Sequence, residues 1–229
     1  MDEYGFFSDE ESAAQGQLFE PEPEPEPERY GAMANAQRTV QIFKTMGTHQ
    51  KLRLLSEKTL FDEMEWHLED GVSYHVLSYG DVDMLTFLRH IAHEQRLEYV
   101  AIASWAIAQV DADELDRMVE RGIIGRIDYV VGDVFRTHMR YRVIKATLAR
   151  TAEKCGGRVL TCRTHMKVIA IFGERYDAII ESSANIETNP RAEQTCITVN
   201  AELAAFYKEW MDALPNFDKN PEGWEPWRR

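Results

Sequence analysis

The residues best equipped for chemistry lie between positions 165 and 193. His165 and Lys167 are separated by one residue in HMKVIAIFG (165–173). Ser182, Ser183 and Asn185 close the run YDAIIESSAN (176–185), and Glu193 follows shortly after. Alternate residues of a strand face the same side, so an extended 165–173 makes His165 and Lys167 point together. A hairpin through Gly173-Glu174-Arg175-Tyr176 returns the second run beside the first and brings Ser183 and Asn185 near that pair. An imidazole, an ammonium and neutral donors converging on one spot match the needs of an oxyanion with three oxygens. Glu193 is then placed to take the second imidazole N–H and fix the tautomer, the orienting part a carboxylate plays in a catalytic triad.

His-x-Lys is a short pattern. It occurs again at His49–Lys51, with a near match at His138–Arg140. Both of those lie in helical runs, where residues i and i+2 do not share a face. Only His165–Lys167 falls on a strand that is followed by a Ser/Asn cluster. The elements around it predict how the cluster is held. VSYHVLSYG (72–80) reads as a strand, with a turn at Gly80-Asp81 leading into a helix cap and apolar residues at helical spacing from Val82 to His93. LEYVAIASW (97–105) and IIGRIDYVVGD (123–133) read as buried strands. Between and after them come helices, one from Asp111 and Asp113 to Gly122. The other runs from Phe135 to Lys154, with Val143, Ile144, Ala146, Leu148 and Ala149 on its apolar side. RVLTC (158–162) and the two runs of the candidate hairpin follow, and an amphipathic helix carrying Leu203 to Met211 closes the domain. This rhythm predicts an α/β fold, a mostly parallel mixed sheet covered by helices on both faces.

The chain divides into an acidic Glu-Pro tail (1–31), a helical segment (32–70), the α/β lobe (71–214) and an irregular C-terminal tail (215–229). Of 229 residues 44% are hydrophobic, enough for a core, and the formal net charge is −13. That charge is concentrated: residues 1–30 hold ten acids against Arg29, and the remainder is nearly balanced, with 25 basic and 29 acidic side chains. Alternating Glu and Pro denies the backbone its donors and repels itself, so the segment is expected to be a solvated tail. A sharper expectation is that it imitates the charge of a nucleic acid. No run approaches a membrane span of about 20 apolar residues, and the acidic start is unlike a secretory signal. Cys155, Cys162 and Cys196 are odd in number and lack CxxC spacing, which argues against a disulfide scaffold or cysteine zinc site. A soluble, cytoplasmic protein without membrane insertion is the expectation.

The segment HMKVIAIFGERYDAIIESSANIETNPRAEQ resembles the conserved stretch of the phospholipase D superfamily, His-x-Lys followed by a hairpin and Gly-Ser-x-Asn. It is similar above all to single-motif phospholipase-D-like proteins of prokaryotes and their phages. The resemblance covers roughly 71–213. It implies that His165 is the nucleophile that forms a phosphohistidine, that Lys167 and Asn185 hold the phosphoryl oxygens with Ser183 assisting, and that Glu193 orients the histidine. It implies no metal and no cofactor. Two positions depart from the pattern: the family's aspartate falls on Phe172, which puts the hairpin geometry in question, and the glycine before the serine is Ser182.

The family's site uses two histidines, and this chain has one convincing copy, so the resemblance implies a homodimer that joins two His165 side chains across a two-fold axis. The bond cleaved would be a phosphodiester. Arg158, Arg163, Arg175 and Arg191 flank the motif and are expected to form a basic rim, with Arg163, Arg191, Ser182 and Ser183 binding substrate, which favours nucleic acid. The reading is a metal-independent nuclease. The alternatives are a noncatalytic nucleic-acid-binding or scaffold protein of the same fold and a phospholipid phosphodiesterase. Trp224 and Trp227 are open to two placements, on a partner protomer or on their own chain.

Overall fold

The computed structural model describes residues 68–79, 82–187 and 191–229. The acidic tail, the helical run as far as residue 67, His49–Lys51 and the Gly80-Asp81 turn lie outside the described residues. The order along the chain is β1 (Ser73–Ser78), α1 (Met84–Glu94), β2 (Leu97–Ser104), α2 (Gln109–Glu120), β3 (Ile127–Gly132), α3 (Val134–Thr137), α4 (Met139–Lys154), β4 (Val159–Cys162), β5 (Lys167–Gly173), β6 (Asp177–Ser182), β7 (Glu193–Val199) and α5 (Ala201–Asp212).

All seven strands form one mixed sheet in the order β1-β7-β6-β5-β2-β3-β4. Strands β2, β3 and β4 run parallel, joined by helical crossovers, whereas the pairings β2–β5, β5–β6, β6–β7 and β7–β1 are antiparallel. The parallel part is therefore smaller than the strand–helix rhythm predicts. Strands β5, β6 and β7 are joined by connections too short for a crossover, and short connections between neighbours pair strands antiparallel. Strand β7 was not among the strands expected from sequence. Its signal is period two: Thr195, Ile197 and Val199 are buried and alternate with less buried neighbours.

The sheet is covered on both faces, which explains the continuous apolar run of β2. Leu97, Val100 and Ile102 face one core with Leu88 of α1, Leu115 of α2 and Leu148 of α4. Tyr99, Ala101 and Ala103 face the other, where Ala204 and Met211 of α5 pack. Helix α1 begins at Asp83, whose carboxylate accepts from the backbone N–H of Leu85 at 2.9 Å and Thr86 at 3.3 Å, two donors that the first turn leaves free.

The single helix expected over 135–154 is two helices, broken at His138, where the backbone is extended (φ −95°, ψ 130°). The buried stripe of α4 is Ile144, Thr147, Leu148, Thr151 and Ala152, an i, i+3, i+4, i+7, i+8 pattern. Val143 is off that stripe and 61% exposed, and Ala146 and Ala149 are exposed too, a correction to the expected apolar side. The helix stops at Gly156, whose φ of +72° suits glycine.

The hairpin forms although Phe172 stands where an aspartate was expected. Phe172 pairs with Asp177 across β5–β6, and its ring packs 5.0 Å from Trp227. The turn is tied by Gln95, whose Oε1 accepts from the N–H of Arg175 at 2.7 Å and Tyr176 at 3.1 Å. Asp177 pairs with Arg229 at 3.0 Å. The C-terminal tail is irregular, yet it lies on its own chain. Trp227 stacks on Tyr99 at 4.8 Å and 6°, and the Arg158 guanidinium lies 3.7 Å from the Trp224 ring centre. Trp227→Ala is expected to destabilise the lobe by about 1–3 kcal/mol, less than a fully buried aromatic. Urea unfolding measures it, and an unchanged midpoint contradicts a stabilising role for the packing of Trp227 on Tyr99.

Candidate functional site

Strands β2, β3 and β4 end on the same edge of the sheet, and β5 starts there, because Ser104 pairs with Lys167. His165 lies just ahead of β5 rather than on it. The two side chains nevertheless meet: the Lys167 ammonium donates to His165 Nδ1 at 3.0 Å and to the His165 carbonyl at 3.0 Å, and lies 3.4 Å from Nε2. Partial loss of water, with the Lys167 charge added, holds the imidazole below its ordinary pKa. Lys167 is itself lowered by desolvation, opposed by the Glu193 charge. The His165 ring is therefore expected to titrate below the ordinary imidazole value of 6.5. An NMR titration of its Cε1–H checks this, and a midpoint at or above that value contradicts the arrangement.

Glu193 was expected to orient the imidazole; its carboxylate instead accepts a hydrogen bond from the Ser183 hydroxyl. The Ser183 Oγ also accepts from the Gln194 N–H at 3.0 Å, so Ser183 and Glu193 form one unit where β6 meets β7. Ser182 serves that junction as well. Its hydroxyl donates to the Gln194 carbonyl at 3.0 Å and accepts from the Ala184 N–H at 3.0 Å, which gives Ser182 a part in closing the strand end. Asn185 Oδ1 accepts from the Ala106 N–H at 3.4 Å, leaving Nδ2 as the donor end of the amide. The loop is pinned to β2 because Ser104 Oγ donates to the Ala106 carbonyl at 2.6 Å and accepts from the Ile186 N–H at 3.3 Å.

Sequence reasoning missed Trp105. Its ring lies 5.6 Å from that of His165, and it directly precedes Ala106, whose N–H donates to Asn185. Room for it comes from Gly132 on β3: a Cβ there would stand 2.9 Å from Trp105 Cδ1 and 3.5 Å from the Thr164 carbonyl. The readable signal was a lone tryptophan straight after a buried strand.

The basic rim differs from expectation in two members. Arg158 is buried, where it donates to the Met211 and Asp212 carbonyls and lies 3.8 Å from the Asp212 carboxylate. Arg175 sits on the β5–β6 turn, at the far end of β5 from Lys167, and donates to the Glu94 carbonyl. Arg163 and Arg191 remain exposed at the site's end of the sheet. Arg136 and Arg140, exposed beside the His138 break, join them, Arg140 being paired with Glu187 of the β6–β7 connection at 2.8 Å. His138 itself packs edge-on against Tyr141 at 5.7 Å. Cys155, Cys162 and Cys196 are free thiols, and Cys196 lies 3.9 Å from His75 Nε2 on β1. Among the described residues, no three His, Cys, Asp or Glu side chains gather as metal ligands, and no helix is long and apolar enough to cross a membrane.

No protein-family model matches the chain, and no curated protein does. Among solved structures it is similar to Nuc from Salmonella typhimurium, described as a phospholipase D family member, at 15% identity over 66% of this chain and 97% of that one, with a TM-score of 0.48. NucT from Helicobacter pylori is similar at 17% identity over 62% and 94% of the two chains, TM-score 0.47. A polyphosphate kinase from Porphyromonas gingivalis is similar at 15% identity over 66% of this chain and 27% of that one, TM-score 0.49. The likeness is one of fold.

Proposed function

We propose that the chain is a metal-independent phosphodiesterase of the phospholipase D superfamily, acting on nucleic acid through a phosphohistidine at His165. The observation that carries this reading is the contact between the Lys167 ammonium and the His165 ring, with Ser183, Glu193 and Asn185 on the adjoining strand end and loop. In the resting site the ammonium caps a ring nitrogen. An incoming phosphodiester offers a stronger anionic acceptor, so Lys167 turns to the phosphoryl oxygens and frees the nitrogen that must attack. Nδ2 of Asn185 is the neutral donor available to a second oxygen, and both interactions strengthen as charge develops at phosphorus. The nitrogen–phosphorus bond forms as the phosphorus–oxygen bond to the leaving alcohol breaks. The departing alkoxide takes a proton from a second imidazole, which then removes a proton from the water that hydrolyses the phosphohistidine.

That second imidazole is His165 of another copy. The edge beside the site suits such a contact: Ser78 on β1 pairs with Glu193, and its neighbours Leu77 and Tyr79 are 86% and 57% exposed. The protein is expected to sediment at twice the chain mass. Leu77→Lys is expected to yield monomers, with hydrolysis falling in parallel; a fully active monomer rules out the shared site.

Exposed Arg136, Arg140, Arg163 and Arg191 around the site favour a polyanionic substrate. The deciding experiment gives the full chain bis(p-nitrophenyl) phosphate and end-labelled single- and double-stranded DNA and RNA in excess EDTA. Hydrolysis with an acid-labile, alkali-stable phosphoenzyme on His165 is the expected result. Binding without hydrolysis of any of these substrates overturns the enzymatic reading in favour of a noncatalytic one.

A further inference from the structure

An open cleft of about 530 Å³ adjoins the His165 loop, walled by Asp133, Arg136, Thr137, Arg163 and Phe217. Its volume falls in the range of roughly 300–1,000 Å³ typical of small-molecule sites. Three separate parts of the chain build it: the β3–α3 turn with α3, the β4–β5 connection and the C-terminal tail. Phe217 is fixed by its backbone, whose N–H donates to the Thr161 carbonyl on β4 at 2.8 Å, while the residue remains 41% exposed. The Arg136 guanidinium lies 5.6 Å from the centre of that ring and is steadied by Asp218 at 3.5 Å. An exposed ring with a guanidinium over it offers a flat surface to another π system. Arg163 precedes His165 by two residues, a reach of at most about 7 Å in extended chain.

We infer that this cleft is a nucleotide subsite for a single-stranded polynucleotide, in which Arg163 holds the phosphate next to the scissile one and the Phe217–Arg136 pair stacks the adjoining base. The inference rests on the proposed function for the position of the scissile phosphate, and it extends that reading by selecting the strand state. A base must leave its duplex neighbours before it can lie on a protein ring. The Asp133 carboxylate on the same wall is a hydrogen-bond acceptor, which matches the amino edge of a base better than a second phosphate.

The test is equilibrium binding by fluorescence anisotropy to the full-length His165→Ala chain, so that cleavage does not intrude. The probes are a short labelled DNA strand, the RNA of the same sequence, an abasic DNA strand and the DNA duplex. At least one base-bearing single strand is expected to bind more tightly than both abasic strand and duplex. Adding Phe217→Ala should weaken binding of that strand about tenfold and leave the abasic affinity within about twofold. Phe217→Tyr, which keeps the ring, should restore the affinity. Arg163→Gln should weaken base-bearing and abasic strands alike and lower the salt slope by about one. The subsite is overturned if Phe217→Ala has no effect, if it weakens the abasic strand equally, if the tyrosine variant fails to restore binding, or if no strand binds. Base-dependent binding without EDTA-resistant hydrolysis by the wild-type chain would sink the phosphodiesterase reading and leave the subsite standing. Hydrolysis without base-dependent binding would do the reverse.

Discussion

His165→Ala is expected to lower phosphodiester hydrolysis by about 10⁴-fold or more while the protein remains folded. The magnitude follows from losing the covalent route: when a nucleophile is deleted from a working constellation, only positioning and electrostatic stabilisation persist. Folding should survive because the side chain stands exposed ahead of β5, and its ring contact is with Trp105, which is held independently against Gly132. Single-turnover hydrolysis of bis(p-nitrophenyl) phosphate, with circular dichroism of both proteins, gives the answer. Equal rates for mutant and wild type would remove His165 from the mechanism. In a shared dimeric site each His165 serves either as nucleophile or as acid, so the double loss in the homodimer should leave no measurable phosphoenzyme.

Lys167→Met is expected to be the next most severe change, lowering kcat by about 10²–10³-fold, the usual cost of removing a donor aimed at developing charge. A methionine keeps the aliphatic stem that begins β5 and removes the ammonium. The same variant makes a second, opposite-signed prediction. The Lys167 charge disfavours protonation of the adjacent ring, so its removal raises the His165 pKa. In the proposed mechanism the neutral imidazole attacks, so the acid limb of kcat/KM should move to higher pH in Lys167→Met. A large loss of kcat with the limb unmoved would mean that Lys167 binds phosphate without tuning the histidine. A shifted limb with normal kcat would mean that another group holds the phosphoryl oxygens.

The sequence by itself determined the parts whose cause is local. Short runs of strand composition marked β1, β5 and β6, helical spacing defined α1, α2 and α5, and the one-residue gap between His165 and Lys167 put two side chains in reach of each other. Departures arose where a residue's role depends on what is opposite it. Glu193 reads as a partner for an imidazole, but β7 lies beside β6 and delivers its carboxylate to Ser183. Arg158 and Arg163 are equivalent neighbours of the motif in sequence. Strand β4 sends the first under Trp224 and leaves the second exposed at the site's end of the sheet. Val143 counts as apolar in any helical pattern, and only the packing of α4 shows that the stripe passes it by. Trp105, Arg136 and Phe217 come from segments more than 100 residues apart at their extremes, and no spacing rule connects them. Arg136 reaches Phe217 and Trp105 reaches the His165 ring because parallel strands β2, β3 and β4 end on one side of the sheet and the C-terminal tail folds back across β4. Local patterns fix which residues can do chemistry; the long-range pairing of strands, which no short window of sequence contains, fixes which of them do it together.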